Sequence, residues 1–250
     1  LANIGAIVYR TEAGTTRTGA RPRLVEIDKI AWPDWSVIPI ENYHRHGLAY
    51  GVVRGVNMPV LARRGCPYQC TFCSNPTMWT TKWVARDPDD LISEMKFYRE
   101  KYGAMDFSFY DLTAIVKRDW LLSFCRKLVE RGMADITWQL PSGTRSEALD
   151  AEACMWLYKT GCRYLVYAPE SASERTLIEI KKKIKLPRLV ESIKYAISKG
   201  MITRFNIIIG FPNETRGDIW KDLRFVFQMA VDGATDVFMN IYSPYPGAEI

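Results

Sequence analysis

Short apolar runs alternate with longer amphipathic segments from residue 57 onward. Runs of this length, rich in β-branched and aromatic residues, predict β-strands, whereas apolar positions three and four apart predict helices. The helix predicted at about residues 88–101 has clear boundary signals, because Asp87 is a capping residue, Pro88 suits the first position and Gly103 follows the end. Further helices are predicted at about 187–199 and 216–231. The predicted strands span residues 59–63, 105–110, 136–140, 164–168, 203–209 and 236–242.

Strands that alternate with helices predict right-handed βαβ units and a parallel sheet, so we assign the chain to the α/β class. Six strands are visible, whereas a closed eight-stranded barrel needs two more units. A doubly wound sheet is the competing arrangement, and in both arrangements ligands gather at the C-terminal ends of the strands. Residues 1–56 form an N-terminal linker segment with little regular signal, apart from a short strand predicted at 4–8.

Three cysteines follow the first predicted strand, at Cys66, Cys70 and Cys73. Thiolates at this spacing can hold three corners of a cubane iron–sulfur cluster and leave one iron open. A structural zinc site is the alternative, with His44 or His46 as a fourth ligand. Six cysteines in 250 residues are too sparse for a disulfide scaffold. The apolar faces of their helices predict that Cys125 and Cys154 pack in the core.

Composition limits the classes of protein to which the chain can belong. A net charge of +6 with one dense basic run, at residues 181–185, favours a solvated helix end or loop over a nucleic-acid surface. No apolar run approaches the ~20 residues of a membrane span, and no secretory signal is visible, so we expect a cytoplasmic protein. The chain begins without Met and stops just after its last strand, and we expect it to be part of a longer polypeptide.

Chemically capable residues stand where several predicted strands end. Asp111 follows the second strand, and its carboxylate suits either an ammonium group or the cap of the next helix. Arg145 follows the third strand and could face a ligand carboxylate or form a surface salt bridge. Glu170 and Ser171 follow the fourth strand, where they bind ribose hydroxyls or begin a helix. Gly210 follows the fifth strand and permits close approach of a ligand to the backbone.

The spacing C-x3-C-x2-C, with the aromatic Phe72 just before the last cysteine, resembles the signature of the radical S-adenosylmethionine (radical SAM) enzymes. The resemblance implies a partial (β/α)6 TIM-like barrel of parallel strands. It also implies a [4Fe–4S] cluster held by Cys66, Cys70 and Cys73, with S-adenosylmethionine on the open iron. Reductive cleavage of that cofactor would give a 5′-deoxyadenosyl radical, which abstracts hydrogen from a substrate.

The same resemblance assigns roles to the residues at the strand ends. Asp111 would receive the amino group of S-adenosylmethionine, although the two glycines of the family motif are absent. Glu170 and Ser171 would contact its ribose or methionine part, and Gly210 would lie against its adenine. Phe72 would shield the cluster. We name no residue as acid or base.

Residues 83–88 resemble a Trp-x-x-Arg-x-Pro stretch of the cobalamin-dependent branch, which includes anaerobic magnesium-protoporphyrin IX monomethyl ester cyclase. Residues 32–43 resemble the linker that follows the cobalamin domain in that branch. We therefore expect residues 1–56 to be the tail of a missing N-terminal domain that binds cobalamin, and residues 57–250 to be a radical SAM barrel truncated after strand six. The chain has no Asp-x-His-x-x-Gly motif, so it supplies no cobalamin ligand itself.

The sequence thus predicts a radical SAM enzyme that acts on a small molecule, with cobalamin serving methyl transfer or oxidative cyclisation. An electron donor such as flavodoxin or ferredoxin would reduce it, and no nucleic-acid partner is expected. Two alternatives stay open: a non-catalytic iron–sulfur electron carrier, which needs four thiolates, and a zinc-stabilised binding module, which needs a fourth ligand.

Overall fold

The computed structural model describes residues 1–113, 115–144 and 148–250, and these residues form two compact units, Leu1–Ala31 and Trp32–Ile250. The first unit contains an antiparallel hairpin of strands β1 (Val8–Thr11) and β2 (Gly14–Arg17). The strand predicted at residues 4–8 is therefore wrong, because pairing begins at Val8. Residues 32–56 belong to the second unit, upstream of the predicted boundary at 56/57.

Six parallel strands form the central sheet of the second unit. Their spatial order follows the chain without reversal, whereas a doubly wound sheet reverses its order at a switch point. The α/β prediction is confirmed, and the monotonic order is that of a singly wound, barrel-like sheet. The strands, from one edge to the other, are β3 (Asn57–Val60), β6 (Asp106–Phe109), β7 (Thr137–Thr144), β8 (Cys162–Glu170), β9 (Ile202–Ile209) and β10 (Asp236–Ile241).

A second, two-stranded sheet joins β4 (Arg63–Arg64) to β5 (Val84–Ala85). Two helices begin at capping residues that the sequence carries: Asp87 accepts from the Asp89 amide at 2.7 Å, and Asp150 accepts from the Ala153 amide at 2.8 Å. In the described residues, no helix combines the length and apolarity that a membrane crossing requires. The helices are α1 (Ile40–Arg45), α2 (Asn75–Trp79), α3 (Pro88–Tyr102), α4 (Arg118–Glu130), α5 (Ala151–Lys159), α6 (Glu174–Glu179), α7 (Leu186–Ser198) and α8 (Arg216–Val231).

The apolar core lies between the sheet and its helices. An aromatic group at its centre joins strand to helix: the Phe109 ring lies 5.2 Å from that of Trp138, and Phe124 of α4 meets both rings edge-on. Cys125 and Cys154 are fully buried in this core, as their helical spacing predicts.

Polar side chains project from the N-terminal halves of the strands and are tied to the segment 50–54. Gln139 accepts a hydrogen bond from the Val52 amide at 2.9 Å and donates to Ser108 at 2.8 Å. Asp106 accepts from the Arg54 amide at 3.1 Å. The segment thereby closes this end of the sheet, and the opposite end, where the strands finish, carries the candidate chemistry.

Candidate functional site

The cysteine loop, residues 65–73, begins where β4 ends. Gly65 has φ +81°, a conformation that favours glycine, and it turns the chain into Cys66. The amide of Asn75, at the start of α2, donates to Cys73 Sγ at 3.5 Å, and the Asn75 side chain donates to the Cys66 carbonyl at 3.1 Å. One residue therefore fixes both ends of the three-cysteine segment.

Thr71 fastens the middle of the loop to two distant parts of the chain. Its amide donates to the Ile180 carbonyl at 3.1 Å, just after α6. Its carbonyl accepts from the amides of Glu249 and Ile250 at 2.8 and 3.2 Å. These main-chain bonds hold the loop beside the residues that follow β8.

The three loop cysteines are partly exposed, and none is in a disulfide. Burial raises the pKa of the Cys70 thiol, Lys182 lowers it, and Cys66, Cys73 and Glu170 raise it further. Cys66 and Cys73 are thus near enough to Cys70 to raise its pKa, although among the described residues no three Cys, His, Asp or Glu side chains are already arranged as metal ligands. Cys70 and Cys73 also line a cavity of about 410 Å³, together with Lys181 and Glu249.

These residues fit an iron–sulfur cluster by the chemistry of their donors: three accessible thiols on a loop that is anchored at both ends and in the middle. The other three cysteines differ. Burial raises the pKa values of Cys125 and Cys154 to about 12, and it raises the pKa of Cys162 above its usual range. The environment therefore separates three accessible cysteines on the loop from three cysteines that pack in the core.

Glu170 ends β8 in an unusual conformation. Its φ is +68°, which is costly for a residue with a Cβ and persists where the surroundings impose it, often at functional sites. The ladder between β8 and β9 is irregular at the same point. Glu170 is 8 % exposed, and its carboxylate lies 3.0 Å from the ammonium group of Lys182.

Lys182 is a site residue that sequence reasoning missed. Its ammonium group pairs with Glu170, lies 5.9 Å from the Phe72 ring and lowers the pKa of Cys70. The run at 181–185 has the pattern of a solvated segment, and nothing local in three consecutive lysines marks the middle one. Lys182 is distinguished from its neighbours only in the folded protein, where it lies next to the cysteine loop.

Phe72 turns into a small apolar cluster rather than into solvent. Its ring lies 5.7 Å from that of Phe211, and both pack with Leu177 and Ile180. Gly210 precedes Phe211 at the end of β9 with φ +88°, and a Cβ at this position would find its closest neighbour 4.0 Å away, on Ile241. The backbone is therefore open to a ligand at Gly210.

Ser171 is buried, and its hydroxyl is used within the protein. It donates to Asp222 of α8 at 2.9 Å and accepts from the Ser173 amide at 3.0 Å. The Ser171 hydroxyl therefore holds the loop after β8 to α8.

Asp111 lies at the end of β6, 1 % exposed, and its carboxylate accepts from the Ala62 amide at 2.9 Å and from the Arg63 amide. The Arg63 guanidinium lies 3.2 Å from its second oxygen and 3.9 Å from the centre of the Trp120 ring. Burial raises the pKa of Asp111 and lowers that of Arg63, and their mutual attraction opposes both changes.

Asp111 does not cap α4, because the residue before that helix, Lys117, is its N-cap and no side chain caps it; the binding of an ammonium group by Asp111 stays a prediction. Asp111 anchors the two residues that lead into the cysteine loop. Arg145 lies outside the described residues.

Comparisons with known proteins agree with this geometry. Residues 61–226 match the family model of the radical SAM superfamily. The chain is 26 % identical over 250 residues, all of its length, to an uncharacterized methyltransferase of Pyrococcus horikoshii, of which it covers 52 %. It is 27 % identical over 231 residues, 92 % of its length, to anaerobic magnesium-protoporphyrin IX monomethyl ester cyclase of Cereibacter sphaeroides, of which it covers 36 %.

Among solved structures, the radical S-adenosylmethionine methyltransferase TsrM of Kitasatospora setae, with cobalamin and a [4Fe–4S] cluster bound, shares the fold. The TM-score is 0.78 at 16 % identity, over 99 % of this chain and 48 % of that one. This likeness confirms the predicted barrel-like fold. The chain spans about half the length, or less, of these relatives.

Proposed function

We propose, because the chain belongs to the radical SAM superfamily, that it forms the catalytic barrel of a cobalamin-dependent methyltransferase. Membership of the superfamily implies a [4Fe–4S] cluster and S-adenosylmethionine as cofactors. Relatives named as methyltransferases support methyl transfer, and the similarity to a cyclase keeps oxidative cyclisation as the second candidate. We place cobalamin in a part of the protein outside residues 57–250.

The observation that carries the proposal is the cysteine loop: three accessible thiols at the C-terminal end of the sheet, beside Glu170 and Lys182. Cys66, Cys70 and Cys73 would hold the cluster. When bound, the cluster and S-adenosylmethionine supply one-electron cleavage of the sulfonium, which gives methionine and a 5′-deoxyadenosyl radical. A four-thiolate electron carrier would not need this open position.

The chain's own residues orient the cofactor and exclude water. Glu170 ends β8, and the open backbone at Gly210 follows the neighbouring strand β9, so both lie at the C-terminal end of the sheet. Glu170 accepts hydrogen bonds, which suits ribose hydroxyls or an ammonium group. Phe72 and its apolar partners keep solvent from one side of the cysteine loop.

The test is electron paramagnetic resonance of the anaerobically reconstituted, reduced protein with and without S-adenosylmethionine. We expect a four-iron signal that changes when the cofactor is added. Cys70→Ala should lose iron and the signal, whereas Cys125→Ala, which removes a buried thiol, should keep both. Zinc in place of iron, or a signal indifferent to the cofactor, would refute the proposal and leave a binding module or an electron carrier.

A further inference from the structure

Strand β9 presents polar side chains on the face of the sheet that its helices do not cover. Phe205 is fully buried, and its ring meets that of Phe225 on α8 edge-on at 5.7 Å. Successive residues of a strand point to opposite faces, so Arg204, Asn206 and Ile208 lie on the face away from α8.

Strand β10 continues the same face. In the ladder between the two strands, Phe238 pairs with Asn206, and Asn240 pairs with Ile208. The Arg204 guanidinium lies 5.9 Å from the centre of the Phe238 ring, which places both side chains on one side of the sheet. We call this surface, formed by Arg204, Asn206, Phe238 and Asn240, the inner face.

The inner face leads up to the cysteine loop. Ile208 and Tyr242, at its upper end, pack in the apolar cluster that contains Phe72. The Tyr242 hydroxyl is buried and has no hydrogen-bond partner among the described residues. Asn240 and Asn206 lie two residues before Tyr242 and Ile208, which is about 7 Å along each strand. A ligand beside the cysteine loop therefore reaches both carboxamides.

The carboxamides of the inner face are available to a ligand, whereas its charged groups are not. Arg204 donates to the Asp236 carboxylate at 2.6 Å, so these two charges neutralise each other. Asn206 and Asn240 are partly exposed, and neither side chain has a hydrogen-bond partner in the part of the chain that the structure describes. A carboxamide offers a donor and an acceptor side by side.

We infer that Asn206 and Asn240 determine substrate specificity by binding an uncharged group that presents a hydrogen-bond donor beside an acceptor, such as a carboxamide or a lactam. The inference rests on the proposed function. Phe238, which is 50 % exposed, packs against the apolar part of the same substrate. A carboxylate or an ammonium group on the substrate would need an unpaired opposite charge here, and Arg204 and Asp236 already pair with each other.

The test uses three probes of one shape: benzamide, benzoate and benzamidine. Their binding to the reconstituted protein without S-adenosylmethionine is titrated by saturation-transfer nuclear magnetic resonance. Asn206→Leu/Asn240→Leu keeps the size of both side chains and removes their polar atoms. The control Asn42→Leu/Gln228→Leu removes two carboxamides at exposed positions on α1 and α8.

We expect the wild type and the control to bind benzamide about tenfold more tightly than benzoate or benzamidine, because two hydrogen bonds depend on the amide group. The double leucine variant should lose this preference. Asn240→Asp should prefer benzamidine, because a carboxylate accepts from both nitrogens of an amidinium group. This exchange of preference shows that a folded variant reads the probe through residue 240.

Absence of benzamide binding, or equal binding of the three probes by the wild type, would overturn the inference. A benzamide preference that survives in the double leucine variant would also overturn it, as would a wild-type preference for benzoate. The proposed function is tested separately by the cluster signal. A signal indifferent to S-adenosylmethionine in a protein that still selects benzamide refutes the proposed function alone, and a responsive signal without selection refutes the role of the carboxamides alone.

Discussion

Gly51 lies against the side chain of Gln139 on β7. Its φ is +101°, and a Cβ at this position would lie 2.2 Å from Oε1 of Gln139, which is far inside van der Waals contact. Gln139 is 1 % exposed and bridges the Val52 amide and the Ser108 hydroxyl. Gly51→Ala must therefore displace Gln139 and break these buried hydrogen bonds.

The expected cost has two parts. An alanine at this φ costs about 1–3 kcal/mol in backbone strain, and each buried polar group left without a partner costs about 1–3 kcal/mol. Gly233→Ala is the matched control, because Gly233 has φ +98° and its Cβ would meet only Ile197 Cγ2, at an ordinary 3.4 Å. Both variants carry the strain, and only Gly51→Ala breaks the hydrogen bonds.

The assay is urea denaturation followed by far-ultraviolet circular dichroism. For a slope of about 2–3 kcal/mol per molar urea, the midpoint of Gly51→Ala should lie about 1 M below that of Gly233→Ala. Adding Gln139→Ala to Gly51→Ala removes the clash, so the double variant should be more stable than the sum of the two single changes. Equal midpoints for the two glycine variants, or simple additivity, would refute this account of how the segment closes the sheet.

Two further predictions concern the site. Lys182→Met removes a charge that lowers the pKa of Cys70, so alkylation of Cys70 should need a higher pH than it does with Lys182 present. Both proteins are compared without the cluster and with Cys66 and Cys73 replaced by alanine. The control Lys185→Met should leave the pH dependence of alkylation unchanged. Ser171→Ala removes the 2.9 Å hydrogen bond to buried Asp222, so thermal or urea unfolding should show a loss of about 1–3 kcal/mol; an unchanged stability would mean that the hydroxyl serves a ligand instead.

The local pattern of apolar and polar residues is sufficient to predict most of the strands and helices. Each predicted strand of the sheet overlaps an observed one, and the helix predicted at 216–231 has those limits, because Thr215 and Asp218 form a capping box that the sequence alone specifies. Strand ends are less accurate: β7 continues to Thr144 and β8 to Glu170, beyond the apolar runs. There, pairing with neighbouring strands extends the ladder past the hydrophobic signal.

The candidate site is predictable only where chemistry and spacing coincide along the chain. The cysteine spacing is such a signal. The pairs Asp111–Arg63 and Glu170–Lys182 are not, because 48 and 12 residues separate the partners and no local rule links them. The position of Asp111 at a strand end predicts ligand binding, which stays a prediction, whereas no local signal predicts Arg63 as the buried partner of its carboxylate.

The six cysteines show how the fold selects ligands from chemically identical side chains. Ligation requires the thiolate, so a cysteine binds iron only where its proton is released and the metal can reach it. Cys125, Cys154 and Cys162 fail both conditions, because the core that buries them also raises their pKa values. Cys70 is partly exposed; burial still raises the pKa of its thiol, and Lys182 opposes that effect. The Lys182 ammonium group therefore favours the thiolate of the middle cysteine of the loop, which is the form that its proposed role as a ligand requires.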